Sequence, residues 1–134
     1  MTDARSPFEY ALLRVVPRVD RGESMNAGVL VYCQALDYLG SRVHLDAARL
    51  AALDPGADPH AIRRALQAAA DVCAAADGAG PAAGEDIGRR FRWLTAPRST
   101  VVQSGPVHTG LTDDPDGAAD RLLRLLVLPV GGTS

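Results

Sequence analysis

The chain has 134 residues, one domain's worth, with 47% apolar side chains and a formal net charge of −2. All fourteen basic residues are arginine, against sixteen Asp and Glu, so the basic excess needed to coat nucleic acid or a membrane surface is absent. No apolar run approaches the ~18 residues of a spanning helix, and Met1 to Pro7 lacks the apolar core of a signal peptide, which leads to the expectation of a cytoplasmic protein.

Phe8 to Val19 (FEYALLRVVPRV) has the length and β-branching of a strand, with Tyr10, Leu12 and Val16 on one face and Ala11, Leu13 and Val15 on the other. Pro17 has no N–H to give a ladder, which places its part of the strand at an edge or bulge. Asp20 to Ser24 reads as a turn. Asn26 to Gln34 (NAGVLVYCQ) is apolar on both faces, the mark of a central strand. Tyr38 to Leu45 alternates again, with Leu39, Val43 and Leu45 opposite Arg42 and His44. Short connections between three such strands predict an antiparallel meander.

The pattern then turns helical. Asp46 caps a short helix that buries Leu50 and Leu53. Asp58 and Pro59 start a longer one, running to about Ala76, with Ile62, Leu66, Ala69 and Cys73 on one face. Asp77 to Gly84 is a flexible connection, too short to divide the chain into separate domains, so a single domain is expected. Glu85 to Leu94 predicts a third helix with Ile87, Phe91 and Leu94 facing inward and Trp93 also in the core. Ser99 to Gln103 reads as a short strand and Ser104 to Thr112 as a loop. Asp114 caps and Pro115 opens a last helix, apolar almost all round, in which Asp120 and Arg124 stand at pairing distance. Such a helix packs centrally or against a second chain, so a homo-oligomer is one expectation. Cys33 and Cys73 match no zinc or redox spacing and read as buried thiols.

Two segments concentrate polar chemistry. Arg89 to Thr112 holds Arg92, Arg98, Ser99, Thr100, Gln103, His108, Thr109 and the only Trp. Arginine forks suit carboxylate or phosphate, and hydroxyls complete such sites. In Arg14 to Asn26, Arg14 interrupts an apolar strand face, while Glu23 and Asn26 suit a turn. If the fourth strand pairs with the first, Arg14 and Arg98 approach each other. A Ser99 or Ser104 nucleophile with His108 and Asp113 lacks the strained elbow that exposes a nucleophilic serine. His44, Asp46, His60 and His108 have no metal-ligand spacing. No glycine-rich loop opens a helix as a phosphate cradle does. No cofactor and no metal are implied.

Tyr10 to Cys33 (YALLRVVPRVDRGESMNAGVLVYC), LGSRVHLDAARLAALDP and RFRWLTAPRSTVVQSGPVHTGLTDDP together resemble a bacterial family catalogued as a domain of unknown function, number 3037, over about Tyr10 to Leu126. The resemblance assigns no catalytic residue. Members of that family are often encoded beside a HipA-like kinase-fold protein, and this implies a partner or accessory role. The family-typical positions include Arg14, Arg18, Glu23, Asn26, Arg92, Arg98, Ser99, Gln103, His108 and Thr109, which form the candidate surface for a ligand or partner.

The expected fold is α+β, a small antiparallel sheet of about four strands covered on one side by three or four helices. The favoured function is a non-enzymatic protein-interaction or accessory module, with a HipA-like kinase as its candidate partner. The alternative is a pocket for a small phosphate- or carboxylate-bearing ligand lined by Arg14, Arg98 and His108, with catalysis left open. Nucleic-acid binding ranks last.

Overall fold

Strand β1 (Ser6–Val15) is the spine of the fold. The structure, a computed structural model, describes residues 4–75, 86–98 and 100–130. The connection expected at Asp77 to Gly84 lies outside the described residues. Antiparallel β2 (Met25–Cys33) lines one edge of β1, and β3 (Tyr38–Val43) continues the meander beyond β2. Along the other edge of β1 lie two short antiparallel strands end to end: β4 (Val102–Ser104) beside Leu13–Val15, and β5 (His108–Thr112) beside Ser6–Tyr10. The sheet thus has five strands. The fifth lies where the sequence reads as a loop. Ser104 pairs with Leu13 but His108 pairs with Tyr10, so one extra residue is accommodated between β4 and β5. Gly105 and Pro106 break the alternation there, and Pro106 is tolerated because this is an edge.

Strand β1 stops at Val15, short of the expected Val19. The Val16 N–H still donates to the Val101 carbonyl at 2.7 Å, after which Pro17 has no N–H to offer. Between β1 and β2 the register slips at Leu13/Arg14. Leu13 faces Gly28 and Arg14 faces Asn26, which leaves Ala27 as the bulged residue.

Four helices complete the fold: α1 (Ala47–Leu53), α2 (Pro59–Ala74), α3 (Ile87–Thr95) and α4 (Pro115–Leu126). Each begins on an Asp whose carboxylate accepts backbone N–H groups that the helix cannot satisfy itself: Asp46, Asp58, Asp86 and Asp114. Three of these caps stand in the sequence as expected. The third helix starts at Ile87, not Glu85, because Asp86 takes the cap.

The helices divide between the two faces of the sheet. Leu13, Val15, Leu30 and Tyr32 pack with Leu50, Ile62, Leu66, Val72 and Phe91 from α1, α2 and α3. Phe91 is fully buried and its ring stacks on Tyr32, with centroids 5.3 Å apart. On the opposite face, Phe8, Val29, Val31 and Cys33 pack with Ala118, Ala119 and Leu122 of α4. The expectation of helices on one side therefore holds for three of them and fails for α4. Strand β2 is apolar on both faces because both are covered, and the small Ala118 and Ala119 let α4 lie close to it. The far side of α4 faces water, and Leu125 on it is 65% exposed. Asp120 accepts from Arg42 across the interface instead of pairing with Arg124. Among the described residues no helix is long and apolar enough to cross a membrane.

Candidate functional site

Two polar rows cross β1, one on each face of the sheet. On the α4 face, Asn26, Arg14 and Gln103 stand side by side on β2, β1 and β4. The Asn26 amide donates to the carbonyl of Leu126 at 3.0 Å, tying the end of α4 to the sheet. The Arg14 guanidinium lies against Gly105, where an added Cβ would stand 3.0 Å from its Cζ. The expected pairing of the fourth strand with the first is present, and it sets Gln103, not Arg98, opposite Arg14.

Arg98 folds back on α3 instead. Its guanidinium donates to the Trp93 carbonyl and stacks over the Trp93 ring, 4.1 Å from the centroid. Trp93 is not in the core, contrary to expectation; 47% of it is exposed. Phe91 and Leu94 take the inward face of α3, and a helix of this period turns Arg92 and Trp93 between them outward. Trp93 and Arg98 form the mouth of a cleft of about 360 Å³ whose floor and walls come from Leu13, Ala65, Ala68, Ala69, Val72, Leu94 and Val102. The small side chains of α2 open this space. Thr100, Gln103 and Ser104 supply its polar side. The Gln103 amide donates to the Thr100 carbonyl at 2.7 Å, and the Thr100 hydroxyl donates to the Val102 carbonyl at 2.7 Å, so this turn is held by its own side chains. Arg98 and Gln103 also border a second, shallower cleft with Pro97, Gly105 and Val107.

On the α1–α3 face, Tyr32, Glu9 and Thr109 form the other row, on β2, β1 and β5. Arg92 of α3 closes over it, and together with Pro7, Phe8 and Gln34 these residues line a cleft of about 190 Å³. His108 is one residue from Thr109 but belongs to the other face, with its ring 5.3 Å from that of Tyr10.

The remaining expected site residues are dispersed. Arg18 is exposed and 3.7 Å from Asp20. Glu23 accepts from Arg21 within the same turn, whose Gly22 adopts a positive φ of 71°. Ser99 lies outside the described residues. Eight of the ten candidates therefore separate into Arg98 with Gln103, Arg14 with Asn26 and Gln103, Arg92 with Thr109, and a turn containing Arg18 and Glu23, while His108 stands against Tyr10. Neither Arg14 nor His108 lines the two clefts that Arg98 borders.

Sequence reading missed Glu9 and the ion-pair cluster between β3 and α4. Glu9 carries a local signal, a carboxylate between Phe8 and Tyr10, comparable to that of Arg14. The cluster carries none. Arg42 donates to Asp120 and Asp116, each at 2.7 Å, and the Tyr38 hydroxyl donates to Asp116 at 2.9 Å. Burial works to lower the Arg42 pKa, but the bonds to Asp120 and Asp116 outweigh it and hold the guanidinium above its ordinary value. The Arg42 hydrogen bond holds Asp116 below the usual carboxylate range, with Tyr38 adding to it. Burial raises the Tyr38 phenol, and Asp116 adds to that rise.

No curated protein and no solved structure matches the chain. The family model for a protein of unknown function, DUF3037, matches residues 10–127, and the extent of that match, from β1 through the end of α4, places the chain in this family.

Proposed function

We propose that the protein is a non-enzymatic interaction module that docks a partner protein on the Trp93–Arg98 cleft. The observation that carries this reading is the exposed Trp93 ring, fixed under a stacked guanidinium at the mouth of an apolar cleft. An exposed Trp is a large apolar surface left in water. The stack on Arg98 reduces the freedom that the pair loses on binding, and Trp and Arg are the residues most often found to dominate interface energy. The partner that fits presents an apolar side chain to the alanine-lined floor and a carboxylate to Arg98 at the rim. A HipA-like kinase-fold protein is the first partner to test, on the strength of the family resemblance.

Binding of purified partner, measured by calorimetry, tests the proposal. Trp93→Ala is expected to weaken the complex by roughly thirtyfold or more, as for an interface anchor, with far-ultraviolet circular dichroism unchanged. Arg98→Ala is expected to act in the same direction and less strongly. Wild-type affinity in both variants overturns the reading. The pocket for a phosphate or carboxylate has support from Arg14 alone, whose half-buried side chain has no partner among the described residues; Arg98 is engaged on Trp93.

A further inference from the structure

We propose that the cleft over Glu9 binds a small zwitterion, a free amino acid, with its ammonium group on Glu9 and its carboxylate on Arg92. This site is separate from the Trp93 cleft, and the two stand or fall independently.

Glu9 is on the central strand, in register with Tyr32 on one side and Thr109 on the other. Its Oε2 atom is buried and has no hydrogen-bond partner among the described residues. A buried acceptor without a partner costs about 1–3 kcal/mol, more when it is charged. Native folds keep few such groups, and each needs a reason. Nothing in the packing of β1 demands a carboxylate, since Ala11 and Leu13 occupy the next positions on the same face.

The Arg92 guanidinium lines the same cleft and makes no ion pair or hydrogen bond with a described residue; it is the Arg92 carbonyl that is engaged, by the Thr95 hydroxyl. Arg92 differs in this from Arg42, whose guanidinium is shared by two carboxylates. One wall of the cleft therefore offers an anion and another a cation, and they do not pair with each other. The opposed charges select against a simple anion, which Glu9 repels, and against a simple cation, which Arg92 repels. A molecule carrying both charges satisfies both groups, and the planar fork of Arg92 matches a carboxylate. Phe8 and Tyr32 give the cleft apolar walls, and the Thr109 hydroxyl and Gln34 amide give it neutral hydrogen-bonding groups. The volume of about 190 Å³ falls below the ~300 Å³ at which drug-sized ligand pockets begin. A nucleotide does not fit, whereas a molecule with a handful of heavy atoms does.

The test is calorimetry and thermal shift on the intact protein with free amino acids, together with their N-acetyl and carboxamide derivatives. One or a few small amino acids are expected to bind and to raise the melting temperature, while both derivatives of the same amino acid fail. Glu9→Gln and Arg92→Gln are each expected to weaken binding by roughly tenfold or more, the loss of one charge-assisted contact. Glu9→Gln keeps the side chain's shape and Arg92 is exposed, so both variants are expected to fold. Absence of binding by any amino acid overturns the proposal. So does equal binding of the blocked derivatives, which removes the zwitterion requirement. A result in which both variants lower the melting temperature equally and no ligand responds assigns the two residues to an internal ion pair and also overturns it.

Discussion

The Arg42 guanidinium and the Asp116 carboxylate meet at 2.7 Å although 74 positions separate them in the chain. Arg42 reaches from β3, and Asp116 sits in the first turn of α4, where a negative charge also complements the helix dipole. With Asp120 one turn further on and Tyr38 on the same strand, the contact fastens α4 to the second face of the sheet. Asp116 and Asp120 are well exposed, at 69% and 52% of their side chains, so solvent screens much of the Coulomb energy. Arg42→Ala is expected to cost about 1 kcal/mol, read by urea denaturation. Loss of nothing measurable, with α4 still docked, would assign the helix entirely to its apolar contacts.

The same cluster has a pH signature. Arg42 and Tyr38 hold Asp116 below the ordinary carboxylate range. A depressed carboxylate stabilises the fold above its unfolded pKa, about 3.9 for Asp, and the contribution disappears as pH falls through the lower, folded value. Asp116→Asn is therefore expected to be less stable than wild type at neutral pH. The gap between the two should close in acid, below pH ~3.9. Paired denaturation curves across that range check the sign.

The sequence shows the elements of this fold more clearly than their placement. Alternation exposes β1 and β3, a run apolar on both faces exposes β2, and Asp-Pro pairs mark the starts of α2 and α4, because those signals are local. Which face of the sheet receives α4 is not local. It depends on Arg42 and Asp116, on Ala118 and Ala119 against Val29 and Val31, and on no periodicity within the helix. Strand β5 was obscured by Gly105 and Pro106, and by its exposed edge position, which removes the need for apolar alternation. At the candidate site, Arg98 was legible as unusual, but its stacking on Trp93 was not, because a helix of nine residues leaves little room to separate an inward from an outward aromatic. Arg14 and His108 share one face of the sheet but stand at different places along β1, and Arg98 follows α3 and turns back to Trp93, which a reading of spacing alone does not resolve.

Gly28, next to the bulged Ala27, shows how closely β2 and β3 approach. A Cβ placed on it would lie 2.8 Å from the backbone carbonyl oxygen of Arg42 and 3.1 Å from a methyl carbon of Val43. The carbonyl belongs to a paired strand and cannot turn away as a flexible side chain does. Gly28→Ala is expected to destabilise by about 1–3 kcal/mol, the range for overpacking. The entropy that Ala saves in the unfolded chain, about 0.4–1 kcal/mol, does not offset this. Thermal denaturation of the variant measures the balance, and a stabilised protein would mean that β3 shifts without cost.

The two cores are expected to respond differently to truncation. Phe91 is fully buried and stacked on Tyr32, among side chains from three helices and the sheet. Phe91→Ala is expected to cost about 3–5 kcal/mol. Leu122 is 7% exposed and covered on one side by the sheet. Leu122→Ala is expected near the low end of the 2–5 kcal/mol range, because a helix resting on one face of the sheet can settle toward the space. Chemical denaturation of both variants tests the order.

Cys73 provides a prediction in alkali. Burial pushes its thiol up to about 11, against smaller opposing effects from Ser41 and Arg90. Its carbonyl also accepts from the Arg90 guanidinium at 3.2 Å, which links α2 to α3. An unfolded cysteine ionises near pH 8.5. Between that pH and about 11, the unfolded chain loses a proton that the folded chain retains, so stability falls as pH rises. The full effect amounts to roughly 3–3.5 kcal/mol, given 1.36 kcal/mol for each unit of displacement. Cys73→Ala removes this titration and is expected to show a shallower decline of stability across the same window, although its stability at neutral pH is lower from the lost packing. In the wild-type protein the thiol is also expected to react with alkylating agents only as fast as the α2–α3 region opens, since the thiolate is the reactive species. Parallel stability slopes in wild type and variant, together with rapid alkylation of the native protein near neutral pH, would show that Cys73 is neither dry nor protonated as its burial requires.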